Sequence, residues 1–121
     1  LQIKIDWQNT GEIDSDFLVG VSIGSDALHK WHDVDIYTDG IGDFAEAFVP
    51  VNGIGTITRT MVVPNDPLLL GDSGDFAWDV WVSLRDPADS DIFLDQYIAI
   101  GALTVHVLAP ADGQILSIVL S

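Results

Sequence analysis

The stretch that decides the fold of this chain is Phe76-Ala77-Trp78-Asp79-Val80-Trp81-Val82-Ser83. Large apolar side chains stand at every second position, and the residues between them are mostly small or polar. Because successive side chains of a β-strand point to opposite faces, this spacing predicts a strand with one buried face. The same parity places Trp78 in the core and Trp81 on the opposite face.

Similar runs recur on both sides of that stretch, separated by turn residues. They cover residues 1–7, 17–23, 31–37, 56–63 and 94–108, and the last run has a bend predicted at Gly101. Residues 44–51 form a weaker element that fits a strand or a helical turn. About seven short strands at this spacing are typical of a sandwich. We therefore predict an all-β, immunoglobulin-like antiparallel β-sandwich, with an up-and-down barrel as the alternative architecture.

Composition limits the class of protein and its partners. The chain has 121 residues, which suits one domain, and no cysteine, so its fold relies on its core or on assembly rather than on disulfides. Its 19 acidic residues outnumber four basic ones, which gives a net charge of −15. Phosphate binding needs clustered cations, so this balance argues against nucleic acid as a partner. No apolar run approaches the roughly 20 residues that span a bilayer, so we predict no membrane span.

The order of the motifs carries a family resemblance. One strand ends in the turn Asn9-Thr10-Gly11, the next begins at Phe17, a Thr-rich strand covers 56–60, and Val63-Pro64 precedes the strand with Trp78, Val80 and Trp81. In this order the chain resembles the CARDB-like, immunoglobulin-fold adhesion modules of prokaryotic or viral surface proteins, over residues 1 to about 108. The resemblance implies an extracellular location, on a cell or virion surface, and a structural or adhesive role without catalysis.

The two ends of the chain depart from that family pattern. Such modules usually open with an extra strand before the one that ends in Asn-Thr-Gly, whereas Leu1 already lies in that strand. After the sandwich domain of residues 1–108, a linker over 109–114 leads to an apolar segment over 115–121. The segment is short, β-prone and uncharged, and such a segment aggregates when it is left free. We predict that it forms a C-terminal strand, which either completes its own sandwich or is donated to a neighbouring copy.

Strand donation makes each contact head to tail, so that copies add to a filament. The interface is then predicted to consist of Leu1, Ile3, Ile115, Leu116, Ile118, Val119 and Leu120. The first functional hypothesis is therefore a non-catalytic extracellular module that self-associates into a homopolymer, as the repeating subunit of a surface filament or virion.

Two loops carry candidate metal ligands. Asp86, Asp89 and Asp91 place three carboxylates in one loop, a candidate for Ca²⁺ because calcium takes several oxygen ligands from flexible loops. Turn formation, which aspartate favours, accounts for the same residues. The segment from His29 to Asp35, with two histidines and two aspartates, raises the same alternatives for a divalent metal.

One stretch matches a catalytic motif but lacks the structural context that the motif needs. Gly20-Val21-Ser22-Ile23-Gly24 matches the nucleophile turn of α/β-hydrolases. That turn needs a helix after the serine, whereas this serine lies inside an alternating strand pattern. We therefore predict that the chain is not an enzyme.

Two tryptophans point to a second functional hypothesis. Trp31 and Trp81 are predicted to lie outside the core, where an indole stacks on a sugar ring or anchors a protein interface. The alternative to the structural module is therefore a carbohydrate-binding module, with or without Ca²⁺.

Overall fold

The computed structural model of the chain describes residues 2–33, 44–60, 63–109 and 113–119. These ranges hold seven strands and no helix: β1 (Gln2–Gln8), β2 (Ser15–Ser25), β3 (Lys30–Asp33), β4 (Phe44–Val49), β5 (Ile54–Thr60), β6 (Gly74–Arg85) and β7 (Phe93–Val107). The all-β prediction is confirmed, and residues 44–49 form a strand rather than a helical turn. The described ranges contain no helix that is long and apolar enough to cross a membrane.

The strands pair antiparallel in two sheets of unequal width. β1 and β5 make the smaller sheet. In the larger sheet β2 is central, with β6 and then β7 on one side, while β3 and β4 share its other edge. β4 pairs with residues 15–20 of β2, and β3 pairs with residues 22–25. A sheet two strands wide thus packs on a sheet four strands wide.

The core lies between these sheets and is built from the alternating apolar residues. Trp78 is 1% exposed, and Val80 and Val82 pack against the same cluster, so the inward face predicted for this strand is confirmed. Burying one large apolar side chain stabilises a fold by about 1.5–3 kcal/mol, which makes this layer the main source of stability. The buried cluster comprises Ile5, Trp7, Phe17, Val19, Val21, Ile23, Val49, Trp78, Leu103 and Val105.

A glycine on β5 makes room for the largest side chain of β1. Gly55 pairs with Trp7 across the smaller sheet, and a Cβ added at Gly55 would lie 2.4 Å from Cε2 and Cζ2 of the indole. Carbon atoms do not approach that closely, so the Trp7 ring occupies the space that any other residue at position 55 would fill. The same ring meets Phe17 edge-on, with 6.1 Å between ring centroids.

The bend predicted at Gly101 is confirmed. Gly101 has a φ of 66°, in the left-handed region that favours glycine, and the β6–β7 register shifts between Trp78 and Val80. Asp79 lies inside this shift and is buried. Its two carboxylate oxygens accept hydrogen bonds from the backbone N–H groups of Gly101 (2.7 Å) and Asp26 (2.8 Å). One side chain therefore fixes both the bend of β7 and the turn after β2.

A second buried aspartate binds a histidine that packs on the core. Asp66, in the loop between β5 and β6, accepts hydrogen bonds from Nε2 of His32 (2.7 Å) and from the backbone N–H of Leu68 (3.0 Å). The His32 ring stacks on Trp78 with 6.2 Å between centroids. The hydrogen bond from His32 holds the pKa of the Asp66 carboxyl below its ordinary value; burial acts in the opposite direction, and Leu68 and the charge of Lys30 add to the lowering.

The C-terminal segment pairs with neither sheet over its described part. Residues 113–119 belong to no strand, and the side chains of Ile115, Leu116, Ile118 and Val119 are 75–89% exposed. The C-terminal strand predicted over 115–121, within its own sandwich or in a neighbouring copy, stays a prediction. An apolar segment has a general tendency to join a sheet, but the path of the chain decides which sheet it reaches. Leu1 and Leu120, predicted for the same interface, lie outside the described residues.

We predict that Gly55→Ala destabilises the fold by about 1–3 kcal/mol, because the added methyl overpacks the Trp7 ring. Urea unfolding followed by tryptophan fluorescence measures the change. Thr60→Ala, on the exposed face of the same strand, is the control and stays within about 0.5 kcal/mol of the parent chain. An equal effect of both substitutions would contradict the close packing of Trp7 on Gly55.

We also predict an acid-dependent contribution of Asp66 to stability. Its pKa is lower in the folded than in the unfolded chain, so its stabilising effect is complete above the unfolded pKa and is lost as the pH falls through the folded pKa. The difference in unfolding free energy between the parent chain and Asp66→Asn therefore shrinks as the pH falls below the ordinary pKa of an aspartate carboxyl. Asp72→Asn removes the same charge from an exposed turn and serves as the control. A difference that does not depend on pH would show that the His32 contact has no such effect.

Candidate functional site

An open groove lies beside residues 5–8 of β1 and continues along the loop that follows β1. One edge of β1 pairs with β5, and no described strand pairs with the other edge. An inner part of about 110 Å³ and an outer part of about 760 Å³ share Asp6, Trp7, Leu84 and Asp95 as lining residues and so form one groove. Its inner part lies between β1, β6 and β7 and is lined by Ile5, Asp6, Trp7, Val82, Leu84, Asp95, Gln96 and Tyr97.

Apolar surface of β7 is uncovered in this groove. Tyr97 pairs with Val82 and shares its inward face, but its side chain is 70% exposed. Leu94, which lines the outer part, is 50% exposed. Both residues lie beyond the reach of the two-stranded sheet. The first half of β7 therefore presents an inward face without a partner, while Leu103 and Val105 in its second half are buried.

Trp7 lines the groove, but its indole nitrogen is buried beneath the groove surface. Its side chain is 8% exposed, and its indole Nε1 has no hydrogen-bond acceptor among the described residues. Most buried N–H groups in proteins have an acceptor, and each one without an acceptor is costly. Because this atom is inaccessible and its neighbours Cε2 and Cζ2 face Gly55 of β5, it belongs to the core rather than to the groove surface.

The charges of the groove restrict its occupant. Asp6, Asp86 and Asp95 line it, and its described lining includes no lysine or arginine. An acidic occupant would be repelled, in a chain whose net charge is already −15. The groove therefore suits an apolar segment without negative charge.

The predicted interface residues fall into two groups in the structure. Ile3 lies in β1 and packs, half-buried, against the core. The residues of the segment Ile115–Val119 are exposed and outside both sheets. The structure does not bring these two groups together within one chain.

In the loop proposed to bind calcium, the aspartate carboxylates accept hydrogen bonds from backbone N–H groups of the same loop. Oδ1 of Asp86 accepts a hydrogen bond from the backbone N–H of Ala88 (2.8 Å), and Oδ1 of Asp89 accepts one from Asp91 (3.0 Å). Across the described ranges, no group of three acidic, histidine or cysteine side chains could hold a metal ion. The turn interpretation accounts for this loop, and the calcium hypothesis has no structural support.

The described residues of the second candidate metal site, the segment from His29 to Asp35, do not lie together. His32 points into the core and binds Asp66, whereas Asp33 lies on the opposite face and accepts a hydrogen bond from Ser22 Oγ (2.7 Å). His29 lies exposed in the turn before β3, with a φ of 50°. Asp35 lies outside the described residues. The alternation of a strand separates His32 from Asp33.

Trp31 and Trp81 lie together on the outer face of the larger sheet. Their ring centroids are 5.6 Å apart, and Phe93 continues the row at 6.2 Å from Trp81. The guanidinium of Arg85 lies 4.0 Å from the Phe93 centroid and 4.8 Å from that of Phe44. The sequence predicted the outward position of Trp81, but it did not predict the contribution of Phe44, Arg85 and Phe93, which come from three different strands.

Sequence reasoning also missed the groove residues Leu84, Leu94 and Tyr97. Their apolar or aromatic character is evident in the sequence, and the sequence predicts a strand over 94–108. Which half of that strand is covered depends on the width of the opposite sheet, and no local pattern encodes this width.

Comparisons with protein-family models, with curated proteins and with solved structures found no match to this chain. The likeness to CARDB-like modules therefore stays a prediction, and function is inferred from the geometry alone.

Proposed function

We propose that this chain is a non-catalytic structural module of an extracellular surface, whose copies assemble head to tail by strand donation. In this proposal residues 115–120 of one copy lie along β1 of the next copy and fill the groove between β1 and β7. The observation that supports it most is the coexistence, in one chain, of an open sheet edge over uncovered apolar surface and an exposed apolar segment. The contact is heterologous, so it propagates into a filament.

The lengths of donor and acceptor agree. A strand rises about 3.3 Å per residue, so six donated residues span roughly 20 Å and the seven residues of β1 roughly 23 Å. Donation along the whole edge supplies hydrogen-bond partners to the free edge of β1.

The sequence of the donor segment favours one orientation of its faces. Alternate residues of a strand share a face, which separates Leu116, Ile118 and Leu120 from Ile115, Ser117 and Val119. The first set is wholly large and apolar, whereas the second contains a serine. We therefore expect Leu116, Ile118 and Leu120 to point into the groove, toward Trp7 and Leu84. The segment carries no charged side chain, which suits a groove lined by aspartates.

Removal of the donor segment tests the assembly. A chain that ends at Gly113 is expected to stay monomeric in sedimentation, while the full chain forms filaments visible by negative-stain electron microscopy. A synthetic peptide of residues 114–121 should bind the shortened chain at one to one and change its tryptophan fluorescence. Filaments formed by the shortened chain would rule out strand donation. A full chain that is monomeric, and only less stable after the deletion, would show that the segment folds back on its own copy.

The predicted faces of the donor segment give a matched test. Leu116→Asp and Ile118→Asp are expected to abolish assembly, because each would bury a charge in an apolar, acidic groove. Ser117→Asp and Val119→Asp place the same charge on the outward face and should leave filaments intact. Equal loss in all four variants would contradict the proposed orientation.

A change in the acceptor groove tests the other side of the contact. Tyr97 is 70% exposed, so Tyr97→Asp should fold normally, and it is expected to lower the affinity of the shortened chain for the peptide at least tenfold. Leu28→Asp, in the exposed turn after β2, is the control. Titration calorimetry measures both affinities, and unchanged binding by Tyr97→Asp would place the peptide elsewhere.

A further inference from the structure

The outer face of the larger sheet contains a cup that the assembly proposal does not use. Gly20, Ser22 and Ser83 form its floor, from two paired strands, β2 and β6. Four larger side chains form its rim: Asp33, Phe44, Trp81 and Arg85. The cup measures about 230 Å³. It lies on the opposite face of the sheet from the groove, because Gly20 and Ser22 alternate with the core residues Val19 and Val21.

The absence of a side chain at Gly20 lets Phe44 and Ser83 approach the floor of the cup closely. A Cβ added there would lie 2.9 Å from Cε1 of Phe44 and 2.9 Å from Oγ of Ser83. Gly20 and Ser22 belong to the motif that resembles a nucleophile turn, and in the structure they are part of a continuous strand. The small residues of this motif therefore leave a depression in a face that is otherwise covered by aromatic and arginine side chains.

The polar groups of the rim are held in place. Ser22 Oγ donates to Oδ1 of Asp33 at 2.7 Å. Arg85 donates from Nε to Ser83 Oγ and from Nη1 to the Ser90 carbonyl, each at 3.0 Å. The guanidinium also packs between the rings of Phe44 and Phe93. A site whose groups are already fixed loses little conformational entropy when it binds a ligand.

The hydrogen-bonding capacity of the cup identifies the ligand class. Asp33 as a carboxylate only accepts, and Arg85 only donates. Ser22 already donates its one hydrogen to Asp33 and can still accept, whereas Ser83, which accepts from Arg85, can still donate. A sugar ring carries adjacent hydroxyl groups that donate and accept, and its C–H face packs on an indole such as Trp81. The cup presents one charge of each sign, so a ligand with a single net charge meets repulsion from one side of the rim. Its volume is below the roughly 300–1,000 Å³ of sites for drug-sized ligands, which suits a single ring.

We infer that this cup binds one pyranose ring of a neutral glycan, with Asp33 and Arg85 on its hydroxyl groups and Trp81 against its C–H face. Trp31 and Phe93 extend the aromatic row beside the cup and offer contacts to neighbouring rings of the same glycan. The inference does not depend on strand donation, because it concerns the other face of the sheet. A filament subunit with this cup would present a row of identical sugar sites along the filament.

Saturation-transfer NMR with the full chain tests this inference. The probes are the methyl pyranosides of glucose, galactose, mannose and N-acetylglucosamine. At least one is expected to bind saturably, with a dissociation constant of about 1 mM, and to quench tryptophan fluorescence. Saturable binding by none of the four would overturn the inference.

Three variants locate the binding. Asp33→Asn removes the charge of an exposed side chain and is expected to weaken binding at least tenfold, and Trp81→Ala should abolish it. Gly20→Ala reduces the cup and should also abolish it; circular dichroism shows whether each variant is folded. Asp72→Asn and Asp75→Asn, both exposed and away from the cup, are the controls. Binding that survives in folded Asp33→Asn and Trp81→Ala would overturn the inference, and loss in the controls alone would do the same.

Discussion

A sheet of two strands cannot cover a sheet that is four strands wide, and this difference in width determines most of what is unusual about the molecule. β1 and β5 cover the inner face of β2 and part of β6, where the buried cluster forms around Trp7 and Trp78. Beyond them, the first half of β7 has apolar side chains on an inward face that nothing in the described chain covers. The open edge of β1 and the uncovered face of β7 thus have one cause: in the described chain the smaller sheet has no third strand beside β1.

The open edge of β1 explains why the exposed C-terminal segment is relevant to the proposed assembly. An open edge next to apolar surface promotes uncontrolled association, and proteins usually block it with charge, with bulges or with a covering element. Here the groove is lined by aspartates, and the chain as a whole repels its own copies through its net charge. An uncharged apolar segment is the type of element that such a groove accepts, whereas another acidic surface is repelled. Charge and shape together therefore favour one specific contact over general aggregation.

The central strand β2 separates two surfaces with different chemistry. Its inward residues Phe17, Val19, Val21 and Ile23 belong to the core, while Leu18, Gly20 and Ser22 are buried under the side chains of the outer face. The inner surface is apolar, and the two described strands β1 and β5 cover only part of it; the outer one is lined by aromatic, hydroxyl and charged groups fixed by hydrogen bonds. Because β2 supports both surfaces, it fixes the position of the proposed assembly groove relative to the proposed sugar site on the other face of the same sheet.

The sequence alone determined the all-β class, the inward face of β6, the burial of Trp78, and the bend at Gly101, because each of these depends on the two-residue period of a strand or on the backbone freedom of one glycine. It also identified the C-terminal segment as apolar and β-prone. Only the tertiary structure decided that the described part of this segment pairs with neither sheet, that β7 is half uncovered, and that Asp33, Phe44, Trp81 and Arg85 meet around Gly20. Those features depend on sheet width, on register and on which strands become neighbours, and these are properties of contacts between residues that are distant in the chain.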